Sequence, residues 1–247
     1  MGLFLELQES LKKSFYHWRV LLSDVPFKKS LFFGICLIFV AYPANYFASF
    51  YNDAYTYVSV GDIILDNIPV YNMEFAFTYV VYALILLIWL YPILFRPELT
   101  PFALKTFAFL IFMRSGFILL TNLGPPVGFF YEGGKVGGAA MADVLFKNDL
   151  FFSGHVAYPF LGFLIYKNTW VRWVLLAGSF FMVITVLAMH IHYSIDVFAA
   201  FFIVFGTYSV SEKIFSKLNA RFKTKVKLYG WDALQKISSV KDFNARK

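Results

Sequence analysis

Long apolar runs alternate with short polar segments along most of this 247-residue chain. A helix of about 20 apolar residues is long enough to cross the hydrocarbon core of a bilayer. Six runs approach or exceed this length, at residues 29–50, 74–95, 101–121, 151–167, 170–190 and 194–211. The pattern predicts an all-α membrane protein with six transmembrane helices, of which the fourth is the shortest.

The N-terminal segment has a different pattern. Over residues 2–22, apolar side chains recur at helical spacing with charged residues between them. This spacing is typical of an amphipathic helix that lies on the membrane surface. We therefore divide the chain into an interfacial helix (1–28), a six-helix domain (29–212) and a basic tail (213–247).

The composition supports a membrane protein, since 60% of the residues are hydrophobic and only 15% are charged. Soluble domains contain about 45–50% apolar residues. The net charge of +7 arises largely in the tail, which includes Arg221, Lys223, Lys225 and Lys227. Anionic lipid headgroups are the expected partner of these residues. Nucleic acid is not an expected partner, because no nucleic-acid-binding module accompanies the basic residues.

The basic residues also predict the orientation of the chain in the membrane. Most of them lie in the N-terminal segment, in tight turns near Arg96 and Lys167, and in the tail. The positive-inside rule then places both termini in the cytoplasm. Two long loops, 51–73 and 122–150, would lie on the outer side. The second is rich in Gly and Pro and is either a lid or a simple connector.

Ionisable residues cluster near the outer ends of the crossings, where they suggest function. They are Arg114, His155, His190, His192 and Asp196. If the sixth helix begins by His192, this residue shares a face with Asp196, whose carboxylate could orient its imidazole. We predict that His192 is a nucleophile toward a phosphate ester and that His155 transfers protons. Arg114 would hold phosphate oxygens.

These residues also allow other interpretations. His190, His192 and Asp196 could suggest a metal site, but residues two positions apart, such as these two histidines, point about 200° apart on a helix. We predict no metal or other cofactor. Arg114 could instead form a structural ion pair with Glu74 or Asp62. The same polar groups could also guide headgroups in a non-enzymatic lipid transporter or scramblase.

Three ordered motifs resemble those of the sphingomyelin synthases. Residues 149–155, D-L-F-F-S-G-H, are similar to the D-x-x-F-S-G-H motif of that family. Residues 190–197, H-I-H-Y-S-I-D-V, are similar to H-x-H-Y-T-x-D-V, and residues 114–126 are similar to R-x-x-F-x-x-T-x-L-P-x-P. The resemblance covers about residues 29–212. It implies a PAP2-like helical bundle, related to the lipid phosphate phosphatases.

The resemblance implies a catalytic triad of His155, His192 and Asp196 on the non-cytoplasmic face. That face is periplasmic in a bacterium and lumenal or exoplasmic in a eukaryote. Members of the family move a phospho-headgroup from a glycerophospholipid to ceramide through a phosphohistidine. In the matched motifs we also expect substrate or phosphate contacts from Arg114, Asp149, Ser153, Gly154, His190 and Tyr193.

Two positions separate this chain from its relatives. The related phosphatases carry an S-R dipeptide where this chain has Thr185 and Val186, so the sequence favours the synthase branch. Animal synthases carry an acidic residue between the two histidines, where this chain has Ile191. An acidic group there could attract a choline or ethanolamine ammonium, so the resemblance does not predict the headgroup of the substrate.

We predict that the protein is a lipid phosphotransferase with phospholipid and ceramide- or diacylglycerol-type lipids as partners. The alternative is a phosphatase or phospholipase C-like hydrolase that uses water as the acceptor.

Overall fold

The computed structural model of the protein describes residues 2–55, 58–130 and 149–244. All regular structure within these residues is helical, which confirms the predicted all-α class. The α-helices are α1 (Gly2–Leu22), α2 (Val25–Asp53), α3 (Glu74–Phe95), α4 (Thr100–Leu120), α5 (Gly154–Ile165), α6 (Val171–Ala188) and α7 (Ser194–Asn244). Short 3-10 helices lie at Leu65–Asn67 and Pro97–Leu99.

Five of the described helices are long and apolar enough to cross a membrane. They are α2, α3, α4 with its preceding 3-10 helix, α6 and the first part of α7. The predicted fourth crossing, α5, has 12 residues, or about 18 Å, which is shorter than the hydrocarbon core. Most of its side chains are buried by neighbouring helices, so α5 is a central packing helix more than a lipid-facing span.

The two ends of the chain meet at one end of the bundle. Asp24, between α1 and α2, accepts hydrogen bonds from Arg221 at 3.2 Å and Lys225 at 3.0 Å on α7. Burial alone would raise the pKa of Asp24, but these two cations hold it below its ordinary value. The Trp18 indole N–H also donates to the Ile93 carbonyl at 2.8 Å. These contacts fasten α1 to the ends of α3 and α7.

The last helix is much longer than the crossing predicted at 194–211. It continues into the predicted tail as one helix of 51 residues. The residues that follow the apolar run are mostly good helix formers, and neither Pro nor Gly occurs between Gly206 and Gly230, so no local signal ends the helix. Charge marks where the chain leaves the apolar region, but it does not mark a helix end.

Most of the loop at 122–150, interpreted above as either a lid or a connector, lies outside the described residues, because 131–148 are not described. Of its described residues, 124–130 fold back against the turn after α6 and the loop at Val58. Phe130 N–H donates to the Met189 carbonyl at 3.1 Å, and Gly124 N–H donates to the Val58 carbonyl at 3.2 Å. This stretch therefore covers the bundle end that carries His155 and His192, hereafter the histidine end.

Helices α2 and α4 pack closely at Gly34, and we predict that adding one methyl group there separates them. A Cβ on Gly34 would lie 2.9 Å from Leu104 Cβ, an atom that side-chain rotation cannot move. We expect Gly34→Ala to lower stability by about 1–3 kcal/mol, measured as a lower melting temperature in detergent.

Gly206→Ala on α7 is the matched control, because no atom lies within 4 Å of its added Cβ. In an open helical position, Ala is favoured over Gly by up to about 1 kcal/mol. The control should therefore melt at the wild-type temperature or slightly above it. Equal melting temperatures for the two variants would contradict close packing at Gly34.

Candidate active site

The structure brings the two predicted catalytic histidines together. His155 lies in the first turn of α5, and His192 lies in the turn that joins α6 to α7. His155 Nδ1 is 3.4 Å from His192 Nε2. His192 is buried, with 2% of its surface exposed, whereas His155 is half-buried and its ring packs on Phe77. A ligand would therefore reach the pair from the side of His155.

Asp196 lies on the other side of His192, with its Oδ2 3.5 Å from His192 Nδ1. This is an ion-pair distance, longer than an ordinary hydrogen bond. The same carboxylate accepts the Tyr193 N–H at 3.0 Å. The condition for His192 and Asp196 to share a helix face, a helix that begins by His192, is not met, because α7 begins at Ser194. The two meet because a carboxylate at the third helical position turns back over the helix start.

Ser153 connects the two histidine segments. Its N–H donates to the Asp196 carbonyl at 3.2 Å, which joins the start of α5 to the start of α7. Its hydroxyl is fully buried, does not cap α5, and has no hydrogen-bond partner among the described residues. Gly154 follows as the first residue of α5, where free N–H groups and the helix dipole favour an anion. Ser153 and Gly154 thus provide hydrogen-bond donors beside His155 that are suited to an anion.

Arg114 is engaged by protein acceptors. Its Nε donates to the Phe152 carbonyl at 3.0 Å, and its Nη1 contacts the Asn45 amide oxygen at 3.3 Å. The Asp149 carboxylate lies 2.7 Å from Nη2 and 3.1 Å from Nη1. The structural ion pair considered above for Arg114 is therefore present, but its partner is Asp149 and not Glu74 or Asp62. This ion pair stabilises residues 149–153 and thereby positions Ser153 at the site.

His190 and Tyr193 contact the loops around the site. His190 Nδ1 lies 2.8 Å from the Val127 carbonyl, and the residue has a φ of 51°, which is uncommon for a side chain other than Gly. The Tyr193 hydroxyl donates to the Gly124 carbonyl at 2.8 Å and accepts the Val60 N–H at 3.1 Å. Both residues therefore hold the loops that flank the histidine pair.

The sequence did not reveal the role of Asp62, which holds the start of α7. Its carboxylate accepts the Ser194 N–H at 2.6 Å and the N–H groups of Ile64 and Leu65 at 2.9 and 3.1 Å. Burial alone would raise the pKa of Asp62, but these hydrogen bonds to the ionised form hold it below its ordinary value. An Asp before a turn predicts the two local bonds. No sequence signal predicts the bond to Ser194.

The metal alternative does not match the contacts of the two histidines in H-I-H. His190 faces the loop at Val127, while His192 faces Asp196 and His155. Within the described part of the chain, no group of three or more His, Cys, Asp or Glu side chains is arranged to hold a metal ion.

Residues 148–213 match the family model of the PAP2 superfamily C-terminal domain. No curated protein and no solved structure matches the chain. The matched stretch contains α5, α6 and the first part of α7, together with His155, His192 and Asp196. The match, on an all-helical membrane fold, supports membership of this chain in the PAP2 superfamily and is consistent with a lipid phosphatase or phosphotransferase.

Proposed function

We propose that the protein is a membrane lipid phosphotransferase. It would move the phospho-headgroup of a phospholipid to a lipid hydroxyl, with a ceramide-like lipid as acceptor, through a phosphohistidine at His192. The observation that carries this proposal is the row of Asp196, His192 and His155, with successive separations of 3.5 and 3.4 Å. Each residue in the row has the chemistry that one part of the transfer requires.

The first step makes His192 the nucleophile. With its Nδ1 proton directed at Asp196, His192 presents the lone pair of Nε2 toward His155, and this lone pair attacks phosphorus when the donor phosphate enters between the two rings. A bond forms between Nε2 and phosphorus, and the bond from phosphorus to the diacylglycerol oxygen breaks. His155, protonated at the start, gives its proton to that oxygen. Asp196 stabilises the positive charge that develops on His192.

The second step reverses the proton transfer. Neutral His155 removes the proton from the acceptor hydroxyl, whose oxygen attacks phosphorus. The bond between phosphorus and Nε2 breaks, and His192 returns to its neutral form. During both steps, the Ser153 hydroxyl and the first N–H groups of α5 would hold the phosphate oxygens, since charge develops there. Ser153 and Gly154 are therefore the phosphate ligands in this proposal.

The charge at the site favours a phosphodiester donor over a phosphomonoester. Within the described residues, Arg114 is the cation beside the histidine pair, and Asp149 neutralises it. A monoester carries about two negative charges near neutral pH, and a diester carries one. Phospholipids with an esterified headgroup are diesters, so the Arg114–Asp149 pair supports them as donors. In this role Arg114 is a positioning residue that acts through residues 149–153.

The nearest alternative is a hydrolase that shares the first step and uses water in the second. The surroundings of the histidine pair favour a lipid acceptor, because Phe77 packs on His155 and the partly buried Ile191 packs against the apolar core. Val186, at the position of the phosphatases' arginine, is fully buried, so it offers no charge for a monoester. These observations support the transferase form.

The membrane orientation belongs to the same proposal. Arg96 lines one cavity together with Lys223 of α7, and Lys167 pairs with Glu212 on the same helix. Asp24 meets Arg221 and Lys225 in this part of α7, so both basic turns lie toward this end of the bundle. The positive-inside rule assigns this end to the cytoplasm. The histidine end would then face the outer leaflet, on the periplasmic or lumenal side.

The transferase proposal predicts that product depends on acceptor. Purified protein in detergent, given phospholipid labelled in the headgroup phosphate, should form a labelled sphingolipid when ceramide is present. Phosphatidate, a monoester, should react more slowly because the site lacks net positive charge. Release of water-soluble phosphate or phosphoalcohol alone, with and without ceramide, would instead establish the hydrolase.

We expect the intermediate to be trapped on His192. Quenching the reaction in alkali, in which phosphohistidine survives, should leave label on a peptide that contains residue 192. His192→Ala should carry no label and lose turnover by several orders of magnitude. His190→Ala is the control, because His190 faces the loop at Val127, and it should still be labelled at His192. Label on His155 would reverse the assigned roles.

Asp196→Asn separates the chemical role of this residue from its role at the helix start. The amide oxygen of Asn can still accept the Tyr193 N–H, so the melting temperature should change little. Without the charge the imidazole loses its orienting partner, and kcat should fall by about 10²–10⁴. Glu74→Gln, which removes another carboxylate at the histidine end, should keep wild-type kcat. Similar kcat values for both variants would refute this role of Asp196.

A further inference from the structure

A polar cleft lies at the end of the bundle opposite the histidine end. It has a volume of about 450 Å³ and lies between α1, the turn after α3, and α7. The polar residues that line this cavity include Lys13, Ser14, His17, Arg96, Lys223 and Lys227. We call the cavity the basic cleft. Asp196 and Lys223 are 27 residues apart on one helix, or about 40 Å. The basic cleft is therefore separate from the histidine pair.

The basic cleft has a surplus of positive charge. Four cationic side chains line it, from Lys13, Arg96, Lys223 and Lys227, against one carboxylate, that of Glu98. Arg96 and Glu98 neutralise each other, with Nε 2.7 Å from Oε1. The three remaining cations are the lysines, and none of them forms an ion pair with another described side chain. Three lysines around one cavity create a potential that favours an anion.

Uncharged groups in the basic cleft could also bind a phosphate. The Ser14 side chain is 4% exposed, and its hydroxyl has no hydrogen-bond partner among the described residues. Burial, with Lys13 and Arg96 nearby, lowers the pKa of His17 despite the opposing charge of Glu98. His17 is therefore a neutral hydrogen-bonding group at physiological pH. Leaving the Ser14 hydroxyl buried and unpaired is unfavourable, and a phosphate oxygen would satisfy it.

The position of the basic cleft favours a lipid headgroup as the source of that phosphate. Arg96 directly follows α3, so the cleft opens at the depth where an apolar span ends. Phe95 and Val226 form the apolar part of its wall. On α1, the Phe15 side chain is 68% exposed beside Ser14, as expected for a helix in contact with lipid. A phospholipid could place its acyl chains along these apolar groups and its phosphate among the lysines.

We propose that the basic cleft binds the phosphate-bearing headgroup of an anionic phospholipid. Lys13 and Lys223 provide charge from opposite walls, on α1 and α7, and Ser14 donates a hydrogen bond. The bound headgroup joins the interfacial helix to the last helix. The site does not depend on the transfer reaction at the histidine end and can be tested without an activity assay.

The test uses the full chain in detergent with water-soluble dihexanoyl lipids, followed by hydrogen–deuterium exchange of the α1 amides. Dihexanoylphosphatidylglycerol should protect these amides saturably, while dihexanoylphosphatidylcholine should not. Lys13→Gln with Lys223→Gln should raise the half-saturating concentration at least about tenfold. The control, Lys12→Gln with Lys217→Gln, removes the same charge from the same two helices at positions that do not line the basic cleft, and it should stay within about twofold of wild type. Ser14→Ala should weaken protection without a change in charge.

Three outcomes would overturn the proposal. An equal loss in the cleft and control variants would show that the lipid responds only to overall charge. Equal protection by phosphatidylcholine would show that no anionic group is recognised. Protection by inorganic phosphate at the same concentration as the lipid would make free phosphate the ligand and remove the lipid from the assignment. Because exchange is read on α1, loss of transferase activity in an Asp196 variant has no bearing on this result.

Discussion

The site depends on the contacts of Asp196 at the start of α7. Its carbonyl accepts the Ser153 N–H, which fixes the start of α5. Its carboxylate accepts the Tyr193 N–H and faces His192 Nδ1. A single buried residue thus positions both histidine segments. An aspartate at a helix start would be stabilising without any chemistry, so the closeness of His192 is the observation that supports the second, catalytic role proposed for Asp196.

The sequence predicted the features that depend on local pattern. The apolar runs located α2, α3, α4 and α6 to within a few residues, because burial in lipid needs continuous apolar stretches. The motif around residues 149–155 and the one around 190–197 placed His155, His192 and Asp196 in one site. Helix α1 coincides with the amphipathic pattern over residues 2–22, since spacing alone sets which face of a helix is apolar.

The sequence could not predict contacts between distant segments. Arg114 and Asp149 were both expected at the site, but their ion pair depends on how α4 meets the chain before α5. Asp62 bonds Ser194 across 132 positions, and no short motif signals that distance. The length of α7 was missed for another reason. Charge and helix propensity are independent properties, and the basic residues that end the membrane span are good helix formers.

In the proposed reaction, charge balance in the buried site would limit which lipids react. With a diester donor, charges of −1 on the phosphate, −1 on Asp196 and +1 on His155 leave a net charge of −1 before attack. After the proposed attack, the positive charge would lie on phosphorylated His192 and His155 would be neutral, so the net charge would be unchanged. A dianionic monoester would make it −2 throughout, and excess charge is costly in a poorly solvated site. Since Asp149 neutralises Arg114, no other cation of the described residues at this end could offset that charge. In the proposed reaction, the Arg114–Asp149 pair beside the histidines would thus act on substrate choice, because it leaves the site without a net positive charge.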